Sequence, residues 1–319
     1  MDERSKELAQ ANPGKKKKTE WFYLKQNWPY LVMILIPLAY FILFCYWPMF
    51  GISMAFQNYK VGAPFLGGST QWVGLKWFKK LLTNSMFKRY LRNTLVLNIE
   101  ELIIGFPPCI ILALILNEVR VKWFRKFAQN VSLLPWFISI VVIVAIMNNF
   151  FSLDDGIFNN IIEKLGGERK MIIGNPRWFR GLYIGSGIWQ GCGYGAIIYT
   201  AAIAGIDPTL YEAAALDGST RLKNIFHITI PCIMPTIIIM LILRIGGLMG
   251  SGTTKILLMY SPLTFETADV FGTYAYRTGL LDGNMSFATA IDLFTSVVGL
   301  ILVLIANWSS KKFSETSLF

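Results

Sequence analysis

Three side chains with the chemistry of a sugar site lie close together in one apolar stretch of the sequence. Trp189, Gln190 and Tyr194 occur within GSGIWQGCGYGAIIYTAAIAG, residues 185–205. An aromatic ring can stack on the apolar face of a sugar, and an amide can exchange hydrogen bonds with sugar hydroxyls. Tryptophan and tyrosine are also bulky packing residues in helices, so a sugar pathway and simple packing both remain open.

Charged and amide side chains interrupt several other apolar stretches. A charge inside a bilayer is costly, so such residues usually face a cavity, a partner chain or an opposite charge on a neighbouring helix. A substrate pathway and pairing between helices would each account for them. The residues concerned are Glu100, Glu101, Asn148, Asn149, Arg244 and Asp292.

The segment YEAAALDGSTRLKNIFHITIPCIMP, residues 211–235, is polar although it lies between two long apolar runs. Asp207 is placed to cap a helix that begins with a proline in its first turn. Gly218 permits the backbone dihedral angles of a tight turn. The pattern predicts two short helices joined at Gly218, with Pro231 setting the join to the next apolar run. Such a unit is suited to docking into a groove of another protein.

The sequence contains no arrangement typical of an enzyme or a metal site. The phosphate-binding pattern G-x-x-x-x-G-K-[ST] is absent, and neither a paired His/carboxylate site nor a nucleophile motif occurs. The four cysteines lack metal-ligand spacing, and the one histidine, His227, lies in the polar segment. We therefore predict neither catalysis nor a bound cofactor.

The composition indicates that these residues are positioned by helices in a membrane. Hydrophobic residues make up 54% of the chain and charged residues 15%, with a mean hydropathy of +0.48. About 20 consecutive apolar residues cross a bilayer as a helix. We predict an all-α membrane protein with six transmembrane helices, near residues 29–56, 93–116, 127–150, 181–205, 231–250 and 286–308.

The segments between and beyond the spans suggest an orientation. Because the number of spans is even, residues 1–28 and 309–319 are expected on the same side. Lys and Arg divide almost equally between the two sides, but the run Lys15–Lys18 favours a cytoplasmic N-terminus. In the segment 57–92, Leu, Phe and Trp recur at helical spacing among lysines, which favours an amphipathic helix on the membrane surface over a solvated connector.

The polar segment resembles a known motif. Glu212, Ala213 and Ala214, with Gly218 six positions after the glutamate, resemble the EAA loop of ATP-binding-cassette (ABC) importer permeases. In that family the loop is the coupling helix that docks on the ATP-hydrolysing subunit. The resemblance assigns this role to the loop 206–230 and the residue after it, with Glu212, Ala213, Ala214, Asp217, Gly218 and Pro231 as its characteristic residues.

Nearly the whole chain is similar to the maltose-permease group of that family and to its polysaccharide-type members. The segments WVGLKWFKKLL, LALILNEVR and ADVFGTYAYRTGL carry this similarity. It implies the type I ABC importer permease fold, with both termini inside a bacterial plasma membrane and a permease domain over 29–308. It also implies the partners: a second, homologous permease, two ABC ATPase subunits that bind the ATP, an extracellular solute-binding protein and an oligosaccharide. No nucleic acid partner is expected.

The chain departs from the family after the fifth span. Thr253-Thr254-Lys255 stands where relatives carry phenylalanine, an acidic residue and glutamine, in a segment that borders their transport path. The outer segments are also cationic, and a cationic entrance attracts anions. An acidic sugar, an acidic binding protein or anionic lipid would each explain this charge. For Arg244 and Lys255 we favour an acidic sugar such as a uronate-containing oligosaccharide.

Two other functions compete with the importer. An ion-coupled secondary sugar transporter would use Glu100, Glu101 and Asp292 as a relay, but the sequence lacks the internal repeats that such transporters have. A membrane enzyme would need catalytic residues that are absent. For the importer, the candidate substrate-pathway residues are Trp189, Gln190, Tyr194, Arg244, Lys255 and Asn148.

Overall fold

The computed structural model describes residues 27–65, 70–250 and 252–314, and most of these residues are helical. Their contacts divide the chain into two units. Among the described residues, the first unit contains 27–53 and 63–65, and the second contains the remainder. The predicted N-terminal segment before Asn27 and the last five residues lie outside the described part.

Helix α1 (Trp28–Phe56) corresponds to the first predicted span and contains two prolines. Pro37 lies within regular α-helix, and Pro48 follows a π-helical turn, Ile42–Tyr46. Proline has no backbone N–H to donate, and the wider turn lets the N–H just before Pro48 donate to a carbonyl five residues earlier. The helix therefore continues through both prolines.

The second unit begins at the end of α1 and contains one short antiparallel hairpin, β1 (Gln57–Asn58) and β2 (Gln71–Trp72). Helices follow it in both long and short pieces. In chain order they are α2 (Lys76–Leu82), α3 (Phe87–Glu118), α4 (Lys122–Phe137), α5 (Ile140–Phe150), α6 (Ile157–Lys164), α7 (Pro176–Ala204), α8 (Pro208–Leu216), α9 (Arg221–Gly246), α10 (Thr253–Met259), α11 (Phe265–Ala268), α12 (Phe271–Tyr276) and α13 (Met285–Ser314).

Four helices of the described chain are long and apolar enough to cross a membrane: α1, α3, α9 and α13. The pair α4 and α5 passes the same test together and adds a fifth if the two are counted as one span. Helix α7 has 29 residues, which is ample for a crossing. Its glycines and polar side chains make it less apolar than the other four, so length and composition support the predicted span at 181–205 less directly.

The third predicted span, 127–150, is not one helix. Helices α4 and α5 meet at an angle of 96°. Pro135 lacks the N–H that would continue a helical ladder, and Ile138 and Ser139 adopt extended backbone with ψ of 129° and 141°. The break leaves backbone groups without helical partners, and the Gln190 amide of α7 donates to the Ile138 carbonyl at 3.1 Å.

Two glycines let α7 approach its neighbours closely. A β-carbon at Gly195 would lie 2.8 Å from Cys109 Sγ on α3, and one at Gly193 would overlap the Ser132 carbonyl oxygen on α4. Both contacts are closer than a side chain allows, so glycine sets the spacing of these helices. This packing role is limited to particular glycines of α7, because a β-carbon at Gly191 would face open space.

The amphipathic helix predicted within 57–92 is α2, and it packs against the protein. Trp77 and Leu81 are buried, and the Trp77 ring stacks on Phe287 of α13 with centroids 5.8 Å apart. The Lys76 ammonium lies 4.9 Å from the Trp77 ring centroid, within range of a cation–π contact. The apolar face of α2 therefore covers the start of α13.

Asp269, between α11 and α12, joins α3 to the segment that precedes the last span. Its carboxylate, with 1% of the side chain exposed, accepts hydrogen bonds from Arg277 at 2.8 and 2.9 Å and from the Thr273 hydroxyl at 2.8 Å. From α3, Arg89 approaches the carboxylate at 3.4 Å, and the Asn93 amide donates to the Asp269 carbonyl at 3.1 Å. A buried charge is tolerated where it is paired and hydrogen-bonded in this way.

We expect Asp269→Asn to destabilise the folded protein by about 3–5 kcal/mol, because it leaves two arginines without their counter-charge. The measurement is the thermal unfolding temperature of the detergent-purified protein. The matched control is Asp282→Asn, since Asp282 is exposed and lies thirteen residues further along. Equal unfolding temperatures for the two variants would show that the Asp269 network contributes little.

Candidate functional site

Helix α8 forms the first part of the predicted docking unit, and Asp207 is its N-cap as predicted. The Thr209 backbone N–H donates to Asp207 Oδ1 at 3.0 Å. This hydrogen bond holds the pKa of the Asp207 carboxyl below its ordinary value, because it stabilises the ionised form. The start of α8 is therefore fixed by a charged cap at neutral pH.

Helix α8 ends in a Schellman motif built on Gly218. The Gly218 N–H donates to the Ala215 carbonyl at 3.1 Å, and the Ser219 N–H donates to the Ala214 carbonyl at 2.9 Å, with Asp217 as the C-cap. The φ angle of Gly218 is +71°, and a β-carbon there would meet nothing within 4 Å. Glycine is needed here for its backbone conformation and not for space.

The second part of the docking unit is not a separate short helix, and this part of the prediction is wrong. Helix α9 begins at Arg221 and continues to Gly246 with Pro231 and Pro235 inside it. A π-helical turn, Ile225–Thr229, comes just before Pro231. Its wider hydrogen bonding brings the chain past the first proline without a break. The docking unit and the following span therefore share one continuous helix.

Two side-chain contacts fix the docking unit to the spans. The Tyr211 hydroxyl of α8 lies 2.9 Å from Thr229 Oγ1 of α9. The Arg221 guanidinium lies 4.0 Å from the Glu118 carboxylate at the end of α3. The first contact ties α8 to α9, and the second ties the start of α9 to α3.

The docking unit presents large apolar side chains away from the bundle. Leu216 is 91% exposed, Leu222 69% and Phe226 64%. Glu212 and Ala213 of α8 are also exposed. Clustered apolar exposure with a polar rim is typical of a surface that binds another protein. We call these five residues the docking surface.

Three of the four charged residues predicted within the spans form pairs between helices. Glu100 and Arg180 lie 3.3 Å apart and join α3 to α7. Glu101 and Arg244 lie 3.6 Å apart and join α3 to α9. Arg180 was not predicted as a partner, because the sequence pattern started the fourth span at residue 181 and left this arginine in a loop. The helical pattern of this span continues before residue 181, and this continuation is the signal that could have placed Arg180 within the helix.

Glu101 and Arg244 line two small cavities. One has a volume of about 100 Å³ and is also lined by Asn98 and Gly247. The other has a volume of about 20 Å³ and extends to Gly187 of α7. The Arg244 side chain is 55% exposed although it pairs with Glu101. Its guanidinium is therefore open to a further anion.

Lys255, on α10, is held inside the protein. Its side chain donates to the Tyr183 carbonyl at 2.6 Å, and Nζ lies 4.5 Å from the Tyr183 ring centroid. A β-carbon at Gly187 would lie only 3.3 Å from Nζ, so the glycine leaves room for the ammonium. Burial lowers the pKa of Lys255 to about 8, and the nearby charge of Glu101 opposes this shift. Lys255 thus places a fixed cation near Glu101.

The three residues of the predicted sugar stretch have different surroundings. Tyr194 stacks on Trp136, with ring centroids 4.3 Å apart and planes 5° from parallel. Gln190 is engaged at the break between α4 and α5. Trp189 is half exposed and lines an apolar groove of about 560 Å³ between α5 and α7. None of these three side chains lines the cavities beside Arg244, although Gly187 and Gly191 of the same stretch border the smaller one.

The remaining two candidates border other cavities. Asn148, near the end of α5, is exposed and lines a narrow crevice beside Asn175. Asp292, on α13, lines a groove of about 330 Å³ together with Thr253 and Tyr276. The described residues thus carry their intramembrane polar groups in several separate places, and only the set around Arg244 combines several charges.

The described residues combine membrane-length helices, ion pairs between α3, α7 and α9, and an exposed short helix before α9, and together these features define the class of a membrane transport subunit. A family model described as a binding-protein-dependent transport system inner membrane component matches residues 109–315, and the chain belongs to this family. It is accordingly a multi-pass inner-membrane transport component and not an enzyme. Family membership favours the binding-protein-dependent importer over an ion-coupled transporter.

Individual relatives match over almost the full length. The polygalacturonan/rhamnogalacturonan transport system permease protein YteP of Bacillus subtilis (strain 168) is 45% identical over 93% of this chain and 91% of the relative. A crystal structure of a bacterial ABC transporter involved in the import of the acidic polysaccharide alginate contains a chain that matches with a TM-score of 0.84 and 40% identity, covering 93% of this chain and 100% of that one. A structure of a bacterial alginate transporter with a pentasaccharide-bound periplasmic protein matches with the same score and identity, over 93% and 99% of the two chains.

Gln190→Leu tests whether this side chain supports the helix break. We expect a loss of about 1 kcal/mol of stability, because the Ile138 carbonyl loses its donor. Thermal unfolding of the purified protein is the measurement, with Ser186→Ala as the control on the same helix. The Ser186 hydroxyl bonds only to carbonyls of its own helix. Unchanged stability of Gln190→Leu would free Gln190 for a role in the pathway.

Proposed function

We propose that this chain is the permease subunit of an ATP-driven ABC importer for uronate-containing oligosaccharides. The observation that carries the proposal is the charge cluster between α3, α7, α9 and α10. It combines one carboxylate, Glu101, with two cations, Arg244 and Lys255, whereas Glu100 and Arg180 form a separate pair. One positive charge is therefore in excess, and Arg244 is the open member of the cluster. A guanidinium binds a carboxylate with matched geometry, which suits a uronate.

The names of the relatives support an acidic substrate. One solved relative takes part in the import of a polysaccharide described as acidic, and a curated relative is named for polygalacturonan and rhamnogalacturonan. Galacturonan is a polymer of a uronic acid. Because the similarity extends over more than nine-tenths of this chain, we extend the acidic class of substrate to it, without assigning a particular sugar.

The assembly we infer has two permeases, this chain and a homologous partner, with two ABC ATPase subunits on the cytoplasmic side. A solute-binding protein delivers the oligosaccharide from outside. The chain crosses the bilayer six times, by α1, α3, the pair α4–α5, α7, α9 and α13, within residues 29–308. Residues 1–28, the loop 206–230 and residues 309–319 then lie in the cytoplasm. The exposed docking surface and the lysine run Lys15–Lys18 support this orientation.

Coupling follows from the way α8 is attached. When ATP closes the ATPase subunits, a groove that holds α8 moves with them. The Tyr211–Thr229 contact passes the movement to α9, and the Arg221–Glu118 pair passes it to α3. These two helices carry Arg244 and Glu101, so the movement reaches the charge cluster. The charge cluster is then accessible from the inside and no longer from the outside.

The predicted pathway residues take different roles in this proposal. Arg244 contacts the uronate carboxylate, and Lys255 adds a fixed positive charge nearby. Trp189 and Asn148 border the path through their exposed surfaces. Gln190 and Tyr194 hold α7 against the break between α4 and α5, so they shape the path from behind.

Gly218→Ala tests the coupling assignment. An alanine at φ of +71° is strained by about 1–2 kcal/mol, so the Schellman turn loosens and we expect uptake to fall several-fold with normal membrane insertion. Gly205→Ala is the matched control, because Gly205 lies in the same loop with φ of −85° and space for a methyl group. The measurements are uptake and membrane content of the permease.

Glu212→Lys reverses the charge of the docking surface and should abolish uptake without removing the permease from the membrane. Normal uptake by both Glu212→Lys and Gly218→Ala, at normal abundance, would remove the coupling role from this loop.

Arg244→Gln tests the acidic substrate. We expect uptake of tetragalacturonate to fall at least ten-fold, because the carboxylate loses its cationic partner, and Arg244→Lys to retain part of it. Uptake of a neutral galactose tetramer, if the wild type accepts it, should change little. The measurement is initial uptake by cells with equal permease content. Equal losses for the two sugars, or no loss for either, would exclude a uronate-specific role.

A further inference from the structure

We propose that Glu101 is a built-in competitor for the substrate: its carboxylate occupies Arg244 when the path is empty, and the substrate carboxylate must displace it. This inference rests on the proposed function, and it assigns Glu101 a specificity role that sets how strongly an acidic sugar is held. It explains why a transport path that needs a cation also contains a carboxylate directly beside that cation.

The geometry of the pair fits an exchangeable contact. The shortest distance between the Glu101 and Arg244 groups is 3.6 Å, beyond the 2.7–3.2 Å of a formed N–H···O hydrogen bond. The Arg277–Asp269 contact in the same protein measures 2.8 Å and involves a carboxylate that is 1% exposed. The Arg244 side chain is 55% exposed and that of Glu101 27%. One ion pair is closed and hydrogen-bonded, whereas the other is loose and accessible.

Room for an incoming carboxylate exists on the open side of Arg244. The cavity of about 100 Å³ that borders both residues is also lined by Asn98, with apolar walls from Leu102, Leu243 and Leu248. A carboxylate group is small enough for such a space. A mostly apolar wall strengthens the attraction between the guanidinium and any anion that enters, because water screens it less.

Displaced from Arg244, Glu101 still has a positive partner. The ammonium of Lys255 is fixed on the Tyr183 carbonyl and lies next to Gly187, which lines the same small cavity as Glu101. A carboxylate left alone in the membrane interior would be costly. Lys255 reduces this cost, so the exchange leaves each carboxylate near a cation. This gives Lys255 a role in the path although its ammonium is buried.

The consequence is weak binding, which suits a transporter. A substrate that must displace an internal carboxylate gains only the difference between the two interactions. When the sugar moves on, Glu101 returns to Arg244 and favours its release. Without Glu101, the site would hold an acidic sugar more strongly and release it more slowly.

The test compares Glu101→Gln with Glu100→Gln in the assembled transporter, purified with its own partner subunits and without the binding protein. Glu100 is the matched control, because it is the adjacent residue and pairs with a different arginine, Arg180, at 3.3 Å. Tetragalacturonate is titrated against each variant, and the dissociation constant is taken from the ligand-induced thermal shift. A second measurement is the maximal uptake rate in cells.

We expect Glu101→Gln to bind tetragalacturonate about ten-fold more tightly than the wild type and to transport it more slowly. Glu100→Gln should keep the wild-type dissociation constant, and Glu101→Asp, which retains the charge, should stay near it. If Glu101→Gln assembles poorly, Glu101→Ala provides the second case, because it also removes the carboxylate and should also bind tetragalacturonate more tightly than the wild type. Unchanged or weaker binding in Glu101→Gln, beside normal wild-type uptake of tetragalacturonate, overturns the inference alone. A wild type that takes up no uronate oligosaccharide overturns the proposed function and the inference with it.

Discussion

Asp269 carries a full negative charge at a position almost closed to solvent, and the arrangement of the helices around it depends on satisfying that charge. Its carboxylate is matched by Arg277 within its own segment and by Arg89 from α3. The Asn93 amide donates to two carbonyls of the same segment, those of Glu266 and Asp269. Because an unpaired buried carboxylate is so costly, α3 and the segment before α13 can adopt few relative positions. That fixed relation sets the frame in which α7, α9 and α10 meet α3.

Charged groups of the same kinds serve a different purpose at Glu101, about two to three turns further along α3 than Arg89 and Asn93. The Asp269 carboxylate accepts several short hydrogen bonds and is closed to water, so its contacts determine a single structure. Around Glu101 and Arg244 the contact is long, single and open. In the first case the protein uses an ion pair as a fixed joint, and in the second the pair can exchange partners. The distinction lies in distance and exposure, since the chemical groups are alike.

Local patterns in the sequence predicted local structure well. The N-cap at Asp207 and the glycine turn at Gly218 depend on residues within a few positions of one another, so their signals are contained in the segment itself. The break after Pro135 and the burial of Lys255 depend on α7, which lies far away in the sequence and supplies their hydrogen-bonding partners. Periodicity and hydropathy carry no information on such partners. The stacking of Tyr194 on Trp136 was hidden for the same reason, because each residue alone is typical of any membrane helix.

Helix α9 begins in the docking unit at Arg221 and still continues at Arg244, which lies in the charge cluster. At a rise of about 1.5 Å per residue, these two arginines are separated by about 35 Å of one helix. A continuous helix is stiff along its axis, so in the proposed importer a movement of the docking unit at one end of α9 would be carried to Arg244 at the other. The π-helical turn near its base changes the regular hydrogen bonding just before Pro231, and it gives this end of the helix a point at which it can bend. Once the Tyr211–Thr229 contact has moved the base of α9, the rest of the distance to Arg244 is covered by one helix and needs no further side-chain contacts.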